Sequence, residues 1–382
     1  MATDTDTDTV LKVTQGEFVL ERLPKRSLEL LRAWDAADEY LLSYMAEQII
    51  DINARLLIIN DGFGALAVGL NSYQPQAFSD SYLSQQATRL NLLANNIPLD
   101  HVNLTHSLEP LEGKYDWVLI KAPKTMGLLE DQLIRIHPYL KSSTQVIVAG
   151  MVKTMTPTIW KLVERLIGAT TTSLAKKKAR LIFATPNPAI QAPVSPYPVC
   201  YPLEDSEHII SNHANVFSRD GLDIGTRFFL QHIPITHGAL DIVDLGCGNG
   251  LLGLIAAERN SEAIVHFVDE SFMAVASAKD NFERALGLQR SATFKVGDGL
   301  QEFDLNSADI ILCNPPFHQQ NAIGDQIANS MIKAAKDVLR KSGELWIVGN
   351  RHLNYQLTLK RTFGNYQLVA ENKKFVILKA KR

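Results

Sequence analysis

The stretch Ala239-Leu240-Asp241-Ile242-Val243-Asp244-Leu245-Gly246-Cys247-Gly248-Asn249-Gly250 decides the fold of this chain. An apolar run over Ala239–Val243 predicts a strand. The glycines after it predict a tight turn, and Leu251–Glu258 has the apolar spacing of a helix. A strand, a glycine-rich turn and a helix N-terminus make a nucleotide-binding element. Gly246, Gly248 and Gly250 let backbone amides approach a ligand where a Cβ would clash. Dinucleotide enzymes use similar turns, so the glycines alone do not name the ligand. Asp244 says more: a carboxylate at that strand end repels pyrophosphate but suits the positive amino group of a methionine moiety, directly or through water.

Working outward, strand-like and helix-like segments alternate, which implies a parallel α/β sheet. Strands are expected at Ile264–Val268, Ala292–Val296, Ile310–Leu312 and Glu344–Val348. Helices are expected at Met273–Ala285 and Ile327–Leu339, with a closing hairpin of Tyr366–Ala370 and Phe375–Leu378. Asp269, at the end of the second strand, is placed to accept hydrogen bonds from both hydroxyls of a ribose. Asp298, between Gly297 and Gly299, is placed to accept from an adenine amino group.

Asn314-Pro315-Pro316-Phe317 is the most specific piece. Each residue before a proline is driven to extended conformations, and neither proline donates a backbone hydrogen bond. The segment is therefore stiff and projects carbonyls into the crevice at the strand ends. The Asn314 side-chain oxygen and the Pro315 carbonyl can accept both hydrogens of an exocyclic amine, aiming its lone pair at an electrophilic methyl. Phe317 offers a face on which a flipped-out base can stack, worth about 1–3 kcal/mol.

The first half repeats this order. Leu56–Asn60 precedes Asp61-Gly62-Phe63-Gly64, Ala77–Asp80 parallels His266–Asp269, and Tyr115–Ile120 with Lys121-Ala122-Pro123 parallels Ala308–Cys313 with Asn314-Pro315-Pro316. Gln145–Gly150 and a hairpin across residues 168–184 complete the match, which predicts an internal duplication. The expected domains are 1–185 and 203–382, joined by a proline-rich linker, 186–202. The polar start, TDTDTDT, reads as a disordered tail. In the first copy Asn60 is read at the place of Asp244, Leu66 at that of Gly250, and Lys121 at that of Asn314. A lysine accepts no hydrogen bond, so this copy is expected to be inactive. Lys121 and Lys124 would present charge at its mouth, and Lys176, Lys177, Lys178 and Arg180 add a second basic cluster suited to an RNA backbone.

Composition narrows the classes. With 382 residues the chain can hold two full cores, and its net charge of −3 excludes a uniformly basic surface. Cys200, Cys247 and Cys313 lack metal-ligand spacing, and the last two read as small core residues. No metal is expected. The start lacks a signal-peptide pattern and no apolar run is long enough to cross a membrane, so a cytoplasmic protein is expected.

The motifs DLGCGNG and NPPF together resemble the class I methyltransferases that modify exocyclic or planar amide nitrogen. Phe at the fourth NPPF position is similar to the guanine-N2 enzymes; the adenine-N6 and protein-glutamine enzymes more often carry Tyr or Trp. Val216–Arg227 resembles the lead-in of the bacterial ribosomal RNA guanine-N2 methyltransferases, and the likeness covers nearly the whole chain. It implies two tandem class I, Rossmann-like methyltransferase domains, each ending in a β-hairpin, with only the second catalytic. It implies S-adenosyl-L-methionine as cofactor and a guanine of ribosomal RNA as substrate. The extension Phe317–Ala322 points within that family to 23S rRNA ahead of 16S rRNA. Adenine-N6, protein glutamine and a non-catalytic RNA-binding role are the alternatives. The paired domains are expected to act as a monomer.

Overall fold

The computed structural model describes residues 9–25, 29, 31–236, 240–316 and 322–382. The polar start and Phe317 lie outside them. The chain divides into two compact units, Met1–Pro196 and Tyr197–Arg382. The first contains strands β1 (Val10–Val13), β2 (Gly16–Val19), β3 (Leu56–Ile59), β4 (Gln76–Ser79), β5 (Asn103–His106), β6 (Tyr115–Lys121), β7 (Leu140–Met151), β8 (Thr170–Thr172) and β9 (Ala179–Ala184). Its helices are α1 (Ala36–Ala46), α2 (Ala65–Gly69), α3 (Tyr82–Ala94), α4 (Met126–Ile136) and α5 (Pro157–Leu166). The second contains β10 (Val199–Pro202), β11 (Ile209–Asn212), β12 (Asp241–Leu245), β13 (Ile264–Asp269), β14 (Ala292–Val296), β15 (Ala308–Cys313), β16 (Leu339–Asn350), β17 (Gln367–Glu371) and β18 (Phe375–Lys381). Its helices are α6 (Ile224–Leu230), α7 (Leu251–Arg259), α8 (Phe272–Leu286), α9 (Ala322–Val338) and α10 (Tyr355–Phe363).

Each unit holds a seven-stranded sheet among the described residues. In the second the order is β14-β13-β12-β15-β16-β18-β17. The strands from β14 through β16 are parallel, and β18 runs antiparallel to both β16 and β17. The first sheet has the order β5-β4-β3-β6-β7-β9-β8 with the same pattern of directions. In β12, Ile242, Val243, Asp244 and Leu245 are all buried, as expected of a parallel strand covered on both faces. On one of those faces Phe267 stacks on Phe294 at 4.9 Å and meets Phe282 edge-on at 5.3 Å. The chain leaves β12 toward β13 and returns on the other side as β15. That reversal opens a crevice at the carboxyl ends of β12 and β15, the place where open α/β sheets bind ligands.

Three departures from the sequence reading matter. Strand β12 runs on through Asp244 and Leu245, so Asp244 is a buried strand residue rather than a residue beyond the strand. The registers also revise the correspondence between the units. Leu245 pairs with Cys313 and Ile59 with Ile120, while Gly250 and Gly64 both start their helices, at φ of 80° and 84°. Counted from either anchor, Ile58 stands where Asp244 does, Asn60 where Gly246 does, and Gly64 where Gly250 does. Leu245 also pairs with Val268 and Ile59 with Phe78, so Ser79, rather than Asp80, matches Asp269. Lys121 does match Asn314. Polar residues at strand ends suggest one alignment from sequence, but the left-handed glycine that opens each helix sets another. Residues 199–202 of the expected linker are the strand β10, paired with β11 in a two-stranded sheet that tolerates its one proline, Pro202.

Candidate active site

The crevice of the second unit collects Asp244, the glycine turn, Asp269 and Asn314 from three neighbouring strand ends. The Asp244 carboxylate is buried, and its Oδ2 accepts the Gly253 N–H at 2.8 Å. Its Oδ1 is buried with no hydrogen-bond partner. Burial, together with the nearby Asp269 charge, pushes the Asp244 carboxyl up to about 8. A buried carboxylate oxygen without a donor is costly, and a cationic ammonium is the group that would satisfy it.

Two glycines of the turn, Gly248 and Gly250, do different work. Gly248 has φ 54°, and a Cβ added there meets no protein atom within 4 Å, so the space beside it is open to a ligand. At Gly250 a Cβ would lie 2.8 Å from the Cβ of Ala278, so this glycine seats α7 against α8. The Asp269 carboxylate is held in place by two backbone amides: Gly248 N–H donates to Oδ2 and Ser271 N–H to Oδ1, each at 3.0 Å. Asp298 lies two residues beyond β14, where its carboxyl is raised by burial and accepts from Gln301 Nε2.

Asn314 follows β15 directly. Its Nδ2 donates to Thr226 Oγ1 at 2.9 Å, and its Oδ1 is buried without a partner. Pro315 is buried beside it and Pro316 exposed. Phe317 and His318 fall outside the described residues. Cys247 and Cys313 are buried, and burial raises both thiols, which suits packing rather than nucleophilic chemistry.

Sequence reasoning passed over the residues that frame the crevice. Asn249 Nδ2 donates to Asn212 Oδ1 at 3.0 Å, and Asn281 Nδ2 donates to the carbonyls of Ser211 and Asn249 at 3.0 Å each. These bonds fasten the β10–β11 pair to the glycine turn. Asn350, at the end of β16, has a further buried side-chain oxygen without a partner. The signal that could have flagged three of them is asparagine at strand ends and in the turn, at Asn212, Asn249 and Asn350, where a side-chain amide can satisfy loop backbone.

In the first unit the equivalent space is filled from within. Ile58 replaces the carboxylate of Asp244. Asp61, from the turn, instead accepts the Ala67 N–H at 2.8 Å, the amide that matches Gly253. Burial and the Asp38 charge raise the Asp61 carboxyl to about 7. Lys121 does not present charge at a mouth. Its Nζ lies 2.8 Å from Asp35 and 2.7 Å from Asp38, with the side chain 14% exposed. Burial alone would lower the Lys121 ammonium, but these two carboxylates outweigh it and raise it. Asn60 and Gln132 exchange amide hydrogen bonds at 2.7 and 2.8 Å. Of the other basic residues, Lys124, Lys176, Lys177 and Lys178 are exposed. Lys177 pairs with Glu39 at 2.7 Å, and Lys176 lies 4.8 Å over the Tyr40 ring. Arg180 is half-buried, with an unpartnered Nε.

Among the described residues no group of side chains could hold a metal ion, and no helix is long and apolar enough to cross a membrane. Comparison with known proteins completes the description. The RLMG N-terminal domain family matches residues 8–188, and the Methyltransferase small domain family matches residues 207–379. Ribosomal RNA large subunit methyltransferase G of Stutzerimonas stutzeri strain A1501 is 48% identical over 372 residues, covering 97% of this chain and 99% of that protein. Its namesake in Pseudomonas aeruginosa strain UCBPP-PA14 is 50% identical over 366 residues, covering 96% and 97%. Among solved structures, the T. thermophilus 16S rRNA N2 G1207 methyltransferase in complex with AdoMet and guanosine superposes with a TM-score of 0.74 at 20% identity, covering 98% of this chain and 97% of that one. At that identity the likeness establishes the fold.

Proposed function

The chain belongs to the family of ribosomal RNA large subunit methyltransferase G, and from that premise we propose that it transfers the methyl group of S-adenosyl-L-methionine to the exocyclic N2 of a guanine in 23S rRNA. The observation that carries this reading is the pair of unsatisfied buried oxygens, Asp244 Oδ1 and Asn314 Oδ1, at the carboxyl ends of adjacent strands. One lacks a cationic donor and the other an amine donor. A methionine ammonium and a guanine amine supply those two needs.

When bound, S-adenosyl-L-methionine supplies a sulfonium methyl, an electrophile with a good leaving group. Asp244 would hold the ammonium, Asp269 the ribose hydroxyls, and Asp298 the adenine amine once Gln301 gives way. The open side of Gly248 would admit the ligand backbone, with Gly246 and Gly250 shaping the turn. Asn314 Oδ1 and the Pro315 carbonyl would accept the two amine hydrogens, loosening the lone pair's conjugation with the purine. Phe317 would stack the flipped base. A strong general base is not required, because the amine proton becomes acidic once the nitrogen is alkylated.

We read the two units as products of one duplication, each finished by an antiparallel strand pair, on the support of their like strand orders and matched helix-opening glycines. The first unit, without the Asp244 carboxylate and the Asn314 amide, has the role of recruiting RNA. Lys124, Lys176, Lys177, Lys178 and Arg180 are its proposed contacts; Lys121 is withdrawn from that set because its charge is already paired. Monomeric action in the cytoplasm fits this division of labour. Mass spectrometry of nucleosides from 23S and 16S rRNA of a deletion strain tests the reading. Loss of one N2-methylguanosine from 23S rRNA alone is expected. Loss from 16S rRNA, loss of a methyladenosine, or unchanged RNA with lost protein-glutamine methylation would each overturn the substrate assignment.

A further inference from the structure

We propose that Thr226 is a positioning residue, setting the Asn314 amide so that its oxygen, rather than its nitrogen, faces the acceptor amine. The inference rests on the proposed function and names a residue that acts through Asn314. An asparagine side chain presents an acceptor on one branch and a donor on the other. Turned one way, the Asn314 amide accepts from an exocyclic amine. Turned the other way, it opposes a donor with a donor and repels the substrate. Nothing in the Asn-Pro-Pro backbone chooses between the two, because the prolines fix the main chain and leave the amide free to rotate.

The structure supplies the choice from elsewhere in the sequence. Asn314 Nδ2 donates to Thr226 Oγ1 at 2.9 Å across a separation of 88 residues. With the nitrogen held there, Oδ1 is the branch left buried and unpartnered. Thr226 is itself fixed. It lies in the first turn of α6, and Asp223, the N-cap, accepts the Thr226 N–H through Oδ2 at 2.8 Å. The helix is seated by Gly225, where a Cβ would come within 3.0 Å of the Asp223 carboxylate and 3.3 Å of the Phe375 ring. Asp223, Gly225 and Thr226 thus form one support that places a hydroxyl oxygen at the amide nitrogen of Asn314. The Thr226 hydroxyl can donate as well as accept, so the orientation is read from the bond itself: its oxygen accepts from the NH₂, β-branching limits its rotation, and Oδ1 is left for the amine.

The test compares Thr226→Val and Thr226→Ser in the full-length enzyme. Valine keeps the shape and removes the acceptor; serine restores it. Single-turnover methylation of 23S rRNA by the valine variant should fall about tenfold, the rate equivalent of one lost neutral hydrogen bond. The cofactor dissociation constant, the Michaelis constant for RNA and the melting temperature should stay near wild type. Serine should recover most of the rate. A wild-type rate in the valine variant would overturn the proposal. So would a serine variant as slow as valine, or a rate loss matched by equal losses of cofactor affinity and stability, which would mean mere structural support. The wild-type enzyme measured alongside separates this from failure of the parent reading. If the wild type makes a product other than N2-methylguanosine, the acceptor assignment falls, and the Thr226 comparison is then scored on the nucleoside or residue that is methylated.

Discussion

Replacing Asp244 with Asn should raise the stability of the cofactor-free protein at pH 8 while weakening cofactor binding, two effects of opposite sign from one atom. The carboxyl is pushed up to about 8 by burial and by the Asp269 charge, against about 3.9 in an unfolded chain. The folded state therefore holds a proton that the unfolded state has released across that window. Stability falls as pH rises wherever the native state binds more protons, by up to about 1.4 kcal/mol per pH unit. Between pH 6 and 8 the wild type should lose about 2 kcal/mol through Asp244 alone. Asn cannot ionise, and it still offers an oxygen to the Gly253 N–H. The variant should gain that 2 kcal/mol on wild type over the same range. Asp61, also raised, to about 7, gives a parallel slope in both proteins and cancels in the difference. Binding should move the other way. A cationic ammonium needs the ionised carboxylate, so wild-type affinity should rise up to tenfold per pH unit from 6 to 7.5, with close to one proton released. The variant should bind about 10–150-fold more weakly at pH 8, the range for losing a hydrogen bond to a charged group. Denaturant unfolding at both pH values, with calorimetry in buffers of different ionisation enthalpy, reads every term. A variant that binds as tightly as wild type at pH 8 would refute the ammonium role, and one whose stability tracks wild type across pH would refute the raised Asp244 carboxyl.

Asn314→Ala should cut single-turnover methylation by about 100-fold or more, as expected for a preorganised group at the reacting centre, with the cofactor dissociation constant unchanged in calorimetry. Lys121→Ala should destabilise the protein by about 3–5 kcal/mol in denaturant melts, because it strands the buried Asp38 carboxylate without its partner; a loss under 1 kcal/mol would show that the ion pair is dispensable. Changing Lys176, Lys177 and Lys178 together to Glu should raise the Michaelis constant for RNA and flatten its salt dependence by about 0.7 per lost phosphate contact, while cofactor affinity holds. An unchanged salt slope would return these lysines to ordinary solvated surface.

What could be read from the sequence was local chemistry; what could not was partnership at long range. The strand, glycine turn and helix around Gly246–Gly250 follow from residues that touch their neighbours in the chain, and so does the stiffness of Asn314-Pro315-Pro316. Lys121 was misjudged because the carboxylate that neutralises it lies 86 residues upstream, and charge alone does not reveal whether a lysine faces water or an aspartate. Thr226 was invisible for the same reason. Asn60 was aligned with Asp244 because a polar residue after an apolar run resembles another, yet strand register is set by which residues pair and by where the next helix begins. The shift by two residues puts Ile58, and not Asn60, at the position of Asp244. The first unit has neither a carboxylate nor an amide at that position. It put an apolar side chain there, met the helix amide with Asp61 from the turn, and paired the lysine at the Asn314 position with Asp35 and Asp38. A site whose polar groups already satisfy one another has no unmet donor or acceptor to offer a ligand. The second unit keeps Asp244 Oδ1 and Asn314 Oδ1 unsatisfied. That contrast, more than any one residue, distinguishes the two units.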